Sequence, residues 1–206
     1  MANLLSLKDR QLDALRETAN IGAGHAATAL SQMTGNTIMI TVPTITIAAL
    51  EDVPSQISDS EEPVAAVLMH MMGDLTGRTL LVFPRPTALR LAQLMLRRPV
   101  DPAGEFGELE QSAIKEAGNI LSGAYMNALS EFMSLMLLPS PPSLAVDMSA
   151  AVLTTAFLQF GIDHDVVFAV ETQFYFQGVD ERLRGFFLLL PDAASLQALL
   201  RAVRVA

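Results

Sequence analysis

The feature that most constrains this chain is a pattern of polar residues that occurs twice, 99 positions apart. The two copies read Asp13, Glu17, Asn20 and Pro43, and then Ser112, Glu116, Asn119 and Pro142. In both copies the step from Glu to Asn is three residues, and the step from Asn to Pro is 23 (43 − 20 and 142 − 119). This repeat predicts an internal duplication, in which half-repeats of about 1–100 and 101–206 form one domain.

Each polar set falls in a segment whose apolar residues recur with a helical period of about 100° per residue. We therefore predict long helices over about 7–32 and 108–137. The apolar stripe of the first comprises Leu12, Leu15, Ala19, Ala23, Ala26, Leu30 and Met33. The stripe of the second comprises Ile114, Leu121, Tyr125, Leu129, Phe132 and Met136, with a gap at Gly118 that allows close packing.

The polar residues occupy a separate face of each predicted helix. Glu17, Asn20 and Gly24 lie within about 60° of Asp13 on a helical wheel, and the second copy repeats this arrangement with Gly123 in place of Gly24. Asn and Gly cost roughly 0.6 and 1 kcal/mol relative to Ala inside a helix, so packing alone does not explain their repetition. Both sets are expected to face solvent or a partner, and the glycines to leave backbone bare for another macromolecule.

The remaining segments repeat in the same order in both halves. The region 37–48 is predicted to be extended, with Pro43 confining it to a sheet edge or a bend. A polar loop is expected over 51–62. Hairpins are predicted over 64–72 with 79–83 and over 166–176 with 183–190, the second turning at 178–181, and short helices over 84–98 and 193–203. Residues 149–161 fit either helix or strand. The expected fold is α+β, with long helices packed on a largely antiparallel sheet around a pseudo-two-fold axis.

Composition narrows the classes of function. A formal net charge of −9 lacks the basic footprint of a nucleic-acid-binding protein, so nucleic acid is not an expected partner. There is no cysteine for thiol or disulfide chemistry, and no apolar run long enough to insert into a membrane. We therefore expect a soluble, cytoplasmic protein. His25, His70 and His164 have no partners at metal-ligand spacing, so no metal site is expected.

The pattern Asp/Ser-x-x-x-Glu-x-x-Asn, followed by 22 residues and Pro, resembles the signature of the CheC/CheX/FliY phosphatases of chemotaxis. Both copies match it without departure, and two family half-repeats account for the length of the chain. The resemblance implies hydrolysis of the aspartyl phosphate on the response regulator CheY. It assigns Glu17 and Glu116 to docking the receiver's lysine, and Asn20 and Asn119 to positioning the attacking water.

The same resemblance indicates which cofactors and partners to expect. Most of the charge stabilisation would come from Mg²⁺ and lysine on the receiver, so this chain is expected to bind no cofactor. The receptor deamidase CheD is a further partner that the family implies. Since FliY-like proteins carry an additional C-terminal domain and this chain ends at Ala206, a stand-alone CheC-type protein is expected. The alternative is a non-catalytic chemotaxis adaptor that uses the same faces to bind a receiver or CheD.

Overall fold

The computed structural model describes residues 9–49, 57, 61–160, 166–176 and 182–205. In the first half these residues form α1 (Asp9–Thr34), β1 (Ile38–Ile40), β2 (Thr44–Ala49), β3 (Pro63–Gly73), β4 (Gly77–Pro84) and α2 (Arg85–Leu96). In the second half they form α3 (Glu108–Met133), β5 (Leu137–Pro139), β6 (Ser143–Met148), α4 (Ser149–Phe160), β7 (Val166–Phe176), β8 (Arg182–Pro191) and α5 (Ala193–Val205). The predicted α+β class is confirmed.

The strands form a single antiparallel sheet in the order β1-β7-β8-β4-β3-β5, with β2 also on β7 and β6 also on β3. Each half therefore places its first two strands on the hairpin of the other half. The two hairpins meet at the centre, where β4 pairs with β8. Because of this exchange, neither half of the described sheet is complete without the other.

The strand registers follow the predicted pseudo-two-fold symmetry. Thr44 of β2 lies opposite Glu171 of β7. The equivalent pair in the other half is Ser143 of β6 opposite Leu68 of β3. Ser143 is 99 positions after Thr44, and Leu68 is 103 positions before Glu171 (171 − 68). The pairings of β1 with β7 and of β5 with β3 correspond through the same two offsets. The duplicated architecture expected from the polar motifs is thus visible in the backbone pairing.

Helices cover both faces of the sheet. On one face α1, α2, α3 and α5 enclose the larger apolar core. On the other, α4 and Ile57 cover a smaller one. Successive residues of β8 alternate between these cores, since Phe186 and Leu188 join the smaller and Phe187 and Leu189 the larger. This two-sided burial explains the uninterrupted apolar sequence of the strand.

The two long helices pack closely against each other and against the sheet. A β-carbon at Gly118 would lie 2.7 Å from Val67 Cγ2, which confirms the predicted gap in the stripe of α3. Further along α3, Tyr125 stacks on Phe187 with ring centroids 4.8 Å apart, and its hydroxyl is 2.8 Å from Thr172 Oγ1. Burial raises the pKa of Tyr125 to about 12, although the hydrogen bond to Thr172 opposes the shift.

Asp192 caps α5 and ties the helix to the β3–β4 turn. Its Oδ1 accepts a hydrogen bond of 2.8 Å from the Ser195 backbone N–H, and its Oδ2 accepts one from the Thr76 hydroxyl. The backbone N–H of Thr76 in turn donates to Ser195 Oγ at 2.8 Å. Partial burial raises the pKa of Asp192, but these hydrogen bonds from Thr76, Ser195 and Ala194 outweigh it and leave the pKa lowered.

The structure corrects several sequence predictions. α3 ends at Met133 rather than near 137, because Ser134 adopts a left-handed conformation with φ of 52° and the chain then enters β5. Met33 and Met136 were placed on the apolar stripes, yet they are 44% and 57% exposed. β5 and β6 were not predicted as strands. Residues 149–160, for which helix and strand were both open, are helical.

Other predictions are confirmed or lie outside the described residues. The extended region around Pro43 and both hairpins are present, and each hairpin is followed by its helix. Pro43 separates β1 from β2 at the edge of the sheet, as expected. The polar loop over 51–62 falls outside the described residues apart from 57, 61 and 62. Leu12's side chain, His164 and the turn 178–181 also lie outside the described part of the chain.

Candidate functional site

The first polar set lies along the outer face of α1. Asp13, Glu17, Asn20 and Gly24 are all exposed, whereas the residues of the apolar stripe between them are buried. The face exists because a helix returns to the same side every three to four residues, and the small buried alanines hold its opposite side against the core. Arg16 lies beside this set, with its Nη1 2.9 Å from Asp13 Oδ1.

The second set lies at the equivalent positions of α3. Ser112 is exposed, and Glu116, Asn119 and Gly123 are each partly exposed. Acidic residues in the first turn of α3, Glu108 and Glu110, favour the start of the helix through its dipole. Both sets therefore reach the surface on helices that the core anchors from behind.

The four Glu and Asn side chains make no hydrogen bond or ion pair with any other residue that the structure describes. This leaves the full donor and acceptor capacity of Asn20 and Asn119 available to a partner or a water molecule. It also leaves the carboxylates of Glu17 and Glu116 unpaired at the surface.

The glycines of the two sets border open space. A β-carbon at Gly24 or Gly123 would have no heavy atom within 4 Å, beyond the chain neighbours and local helix backbone. Gly22, two residues before Gly24, differs because a β-carbon there would lie 2.8 Å from Tyr125 Cδ1. Glycine at 22 is therefore required by packing inside the protein, while glycine at 24 and 123 is not.

The prolines of the two motifs lie at the sheet edge rather than among the exposed side chains. Pro43 is buried and immediately precedes β2, and Pro142 is partly exposed and immediately precedes β6. Two residues before each proline, a backbone N–H donates across to the neighbouring hairpin: Thr41 to the Gln173 carbonyl at 3.0 Å, and Ser140 to the His70 carbonyl at 2.9 Å. A proline in this position leaves no ladder N–H unsatisfied.

The sequence patterns did not single out a cation beside each Glu. Arg16 and Lys115 occupy matching positions, 99 apart, directly before Glu17 and Glu116. Their environments differ, because Asp13 pairs with Arg16 while Ser112 at the matching position provides no carboxylate. An alignment of the two halves shows this feature, because a positively charged residue directly precedes the motif glutamate in both.

Three cavities that lie among the described residues have no motif residue in their lining. An apolar cavity of about 30 Å³ lies beneath α1, next to Tyr125 and Phe187. A second of about 330 Å³ lies between β6 and α4, and an open cleft of about 620 Å³ lies at the end of α2. Among the described residues no cluster of three or more His, Cys, Asp or Glu could hold a metal ion. The motif side chains thus lie outside these three cavities, on the surfaces of α1 and α3.

Comparison with known sequences identifies the family. The profile of the CheC-like family matches residues 11–47 and 109–146, which contain both polar motifs. The protein named CheY-P phosphatase CheC from Bacillus subtilis (strain 168) is 31% identical over 199 residues, covering 96% of this chain and 95% of that protein. The chain belongs to the CheC-like family. The flagellar motor switch phosphatase FliY of the same organism is 33% identical, over 66% of this chain and 35% of that protein.

Solved structures agree with this membership of the CheC-like family. The Thermotoga maritima FliY structure superposes with a TM-score of 0.78 and 25% identity, covering 97% of this chain and 98% of that one. The FliM middle domain from H. pylori matches with a TM-score of 0.68 and 14% identity, covering 95% and 99% of the two chains. At that identity the likeness to FliM concerns the fold alone. Among the described residues, no helix of this CheC-like chain has the length and apolar character to cross a bilayer.

Proposed function

We propose that this protein is a phosphatase that hydrolyses the aspartyl phosphate of a CheY-type response regulator. The observation that carries the proposal is the presence of two Glu–Asn pairs without a partner among the described residues: Glu17 with Asn20, which are exposed, and Glu116 with Asn119, which are partly exposed. The names of the relatives from Bacillus subtilis support the same activity, since both are called phosphatases and one is called a CheY-P phosphatase.

The reaction requires few groups from the phosphatase itself. An aspartyl phosphate on a receiver lies beside the receiver's own Mg²⁺ and lysine, which stabilise charge in the transition state. What remains is to hold a water in line with the phosphorus, and this positioning lowers a barrier by several kcal/mol. The carboxamides of Asn20 and Asn119 can accept a hydrogen bond from one water and donate another to a phosphoryl oxygen. Neither acts as a base at neutral pH.

In this proposal the two glutamates bind the receiver. An unpaired surface carboxylate one turn before each Asn is placed to bind a cation on the partner, and the receiver's active-site lysine supplies one. The ion pair fixes the docked geometry in which the Asn reaches the phosphoryl group. Open backbone at Gly24 and Gly123, one turn beyond the Asn, lets the partner's surface come close on the other side.

The shape of the surface favours a macromolecular substrate. Small-molecule sites are concave, and the motif residues line none of the three cavities described above. A substrate that brings its own pocket, with its phosphoryl group and metal ion already inside, needs only projecting side chains from its partner. The reaction then depends on Mg²⁺ carried by the receiver and on no ion held by this chain.

The test is direct and separates catalysis from docking. Candidate receivers are phosphorylated with a small phosphodonor, the donor is removed, and loss of the phosphoryl group is followed with Mg²⁺ present. Substoichiometric amounts of this protein are expected to accelerate the loss with multiple turnovers. A protein that binds the phosphorylated receivers without shortening the lifetime of the phosphoryl group would be an adaptor, and the proposal would be wrong.

A further inference from the structure

A basic cleft lies at the end of the first half, away from the polar motifs. It has a volume of about 620 Å³ and is lined by Thr34, Asn36, Arg90, Gln93, Arg97 and Arg98 among others, with no acidic residue in its lining. The chain as a whole carries 22 acidic and 13 basic side chains, so the positive charge of the cleft is opposite in sign to the net charge of the protein. Thr34 is 14 residues beyond Asn20 on α1, or about 21 Å along the helix axis.

Two of the three arginines have no carboxylate partner among the described residues. Arg98 is paired, with its Nη2 2.6 Å from Glu110 Oε1. Arg97 places its Nη2 3.5 Å from the Met33 carbonyl, at the end of α1. Among the described residues, Arg90 contacts the Gln93 side chain, at 3.5 Å, and the ring of Phe176. Its Nε is shielded from solvent and has no hydrogen-bond partner in this part of the chain. An uncompensated, partly buried guanidinium is costly unless an anion completes it.

A structural role explains Arg97 and Arg98 but not Arg90. Cations near a helix C-terminus interact favourably with its carbonyl groups, and Arg97 and Arg98 follow the last turn of α2. Arg90 lies in the middle of that helix. α2 and α5 align at an offset of 108 positions, which matches buried Leu91 to buried Leu199. At this offset the counterpart of Arg90 is Ala198, which is partly buried. The duplicated framework therefore packs with an alanine at this position and does not require a cation.

We propose that this cleft binds a small molecule that carries a diphosphate or longer polyphosphate group. Guanidinium groups match phosphate oxygens in charge and in bidentate geometry, and two uncompensated arginines beside a third favour a ligand with at least two negative charges. The volume falls within the roughly 300 to 1,000 Å³ of small-ligand sites. Leu94 and Pro99 provide an apolar wall for an organic portion.

Binding is measured on the intact protein in the absence of any receiver, so the outcome is independent of the phosphatase activity. Pyrophosphate and ATP are titrated calorimetrically at low ionic strength, and thermal unfolding is recorded with and without each, since a ligand of the native state raises Tm. The wild-type protein is expected to bind at least one of them. The Arg90→Gln, Arg97→Gln double variant is expected to bind at least tenfold more weakly.

Matched variants keep the result interpretable. Arg201→Gln removes the same charge from an exposed position on α5 outside the cleft and is expected to retain wild-type affinity. The exposed Arg97→Gln alone, which perturbs packing least, is expected to weaken binding by an intermediate factor. Absence of binding by both phosphate probes, or equal affinity in all variants, overturns the proposal. Binding of a hexaglutamate peptide without binding of either phosphate probe overturns it as well, and marks the cleft as a polypeptide-docking surface.

Discussion

Gly22 of α1 faces the ring of Tyr125 of α3 so closely that a β-carbon at 22 would lie 2.8 Å from Tyr125 Cδ1. The tyrosine cannot retreat easily, because its ring stacks on Phe187 and its hydroxyl is bonded to Thr172 on the sheet below. This contact helps fix the packing of the two helices that carry the two polar sets. The spacing between the two candidate sites is therefore partly set by one glycine and one aromatic ring.

Substitution of this glycine tests the contact. Gly22→Ala is expected to lower the free energy of unfolding by about 1–3 kcal/mol, because overpacking exceeds the gain in helix propensity. Gly24→Ala, two residues away and facing open space, is expected to raise it by up to about 1 kcal/mol. Urea unfolding of both variants provides the measurement. If Gly22→Ala is as stable as Gly24→Ala, the helices can separate without cost and the contact does not constrain them.

The cap of α5 makes part of the stability dependent on pH. The pKa of Asp192 is lowered in the folded protein, so its ionised form contributes stability above the ordinary carboxyl pKa, and this contribution is lost as pH falls through the lowered pKa. We expect Asp192→Ala to cost about 0.5–2 kcal/mol at pH 7.

The cost of this substitution should shrink as the pH is taken below about 4, near the unfolded carboxyl pKa. Urea midpoints of the wild type and the variant, measured from pH 7 down to pH 3, test this dependence. A stability difference between the two proteins that stays constant over that range would show that Asp192 acts by packing rather than by charge.

The glutamates are expected to affect binding more than turnover. Glu17→Gln with Glu116→Gln should weaken association with a receiver that carries a phosphoryl mimic by roughly 1 kcal/mol per site, about fivefold. The loss of rate should be partly recovered at high substrate, so that KM rises more than kcat falls. Titration of the receiver and steady-state kinetics measure the two effects. Unchanged affinity in the double variant would remove the docking role.

Much of this structure could be predicted from short-range patterns, and the rest depends on contacts between the halves. The apolar period fixes α1 and α3 and places Glu17 and Asn20 on the outer face, because that information lies within one helix. The pairing of β2 with β7 could not be predicted in the same way, since each strand alone fits several neighbours. The end of α3 was misjudged because Ser134 takes a left-handed conformation that sequence favours only for Gly and Asn.

The candidate site was likewise predictable in its local pattern and not in its contacts. Repetition of the motifs identified the polar residues, and the exposure of both sets follows from helix geometry. The pairing of Arg16 with Asp13 was missed because a single charged neighbour on a solvated face is common. The different surroundings of the two cations become apparent only when the halves are compared residue by residue.

The flanking cations are expected to distinguish the two sites. Lys115 has no carboxylate partner among the described residues, whereas Asp13 neutralises Arg16, so Lys115 should contribute more to attracting a phosphorylated receiver. Lys115→Gln, in an Asn20→Ala background that isolates the second site, should lower kcat/KM by up to about fivefold at low salt. Arg16→Gln in an Asn119→Ala background should change it less. Equal losses in the two backgrounds would mean that the Asp13 pairing has no influence on the reaction.

The most direct test of the central claim is the maximal dephosphorylation rate of the Asn20→Ala, Asn119→Ala double variant with saturating phosphorylated receiver. Each single variant should lose part of the wild-type kcat, and the double variant should lose nearly all of it, at least about 100-fold, because no group remains to position the water. Asn127→Ala, which removes an exposed Asn eight residues beyond Asn119 on α3, should keep the wild-type rate, and circular dichroism should show all variants folded. A folded double variant that retains most of the wild-type rate would contradict the assignment of both asparagines.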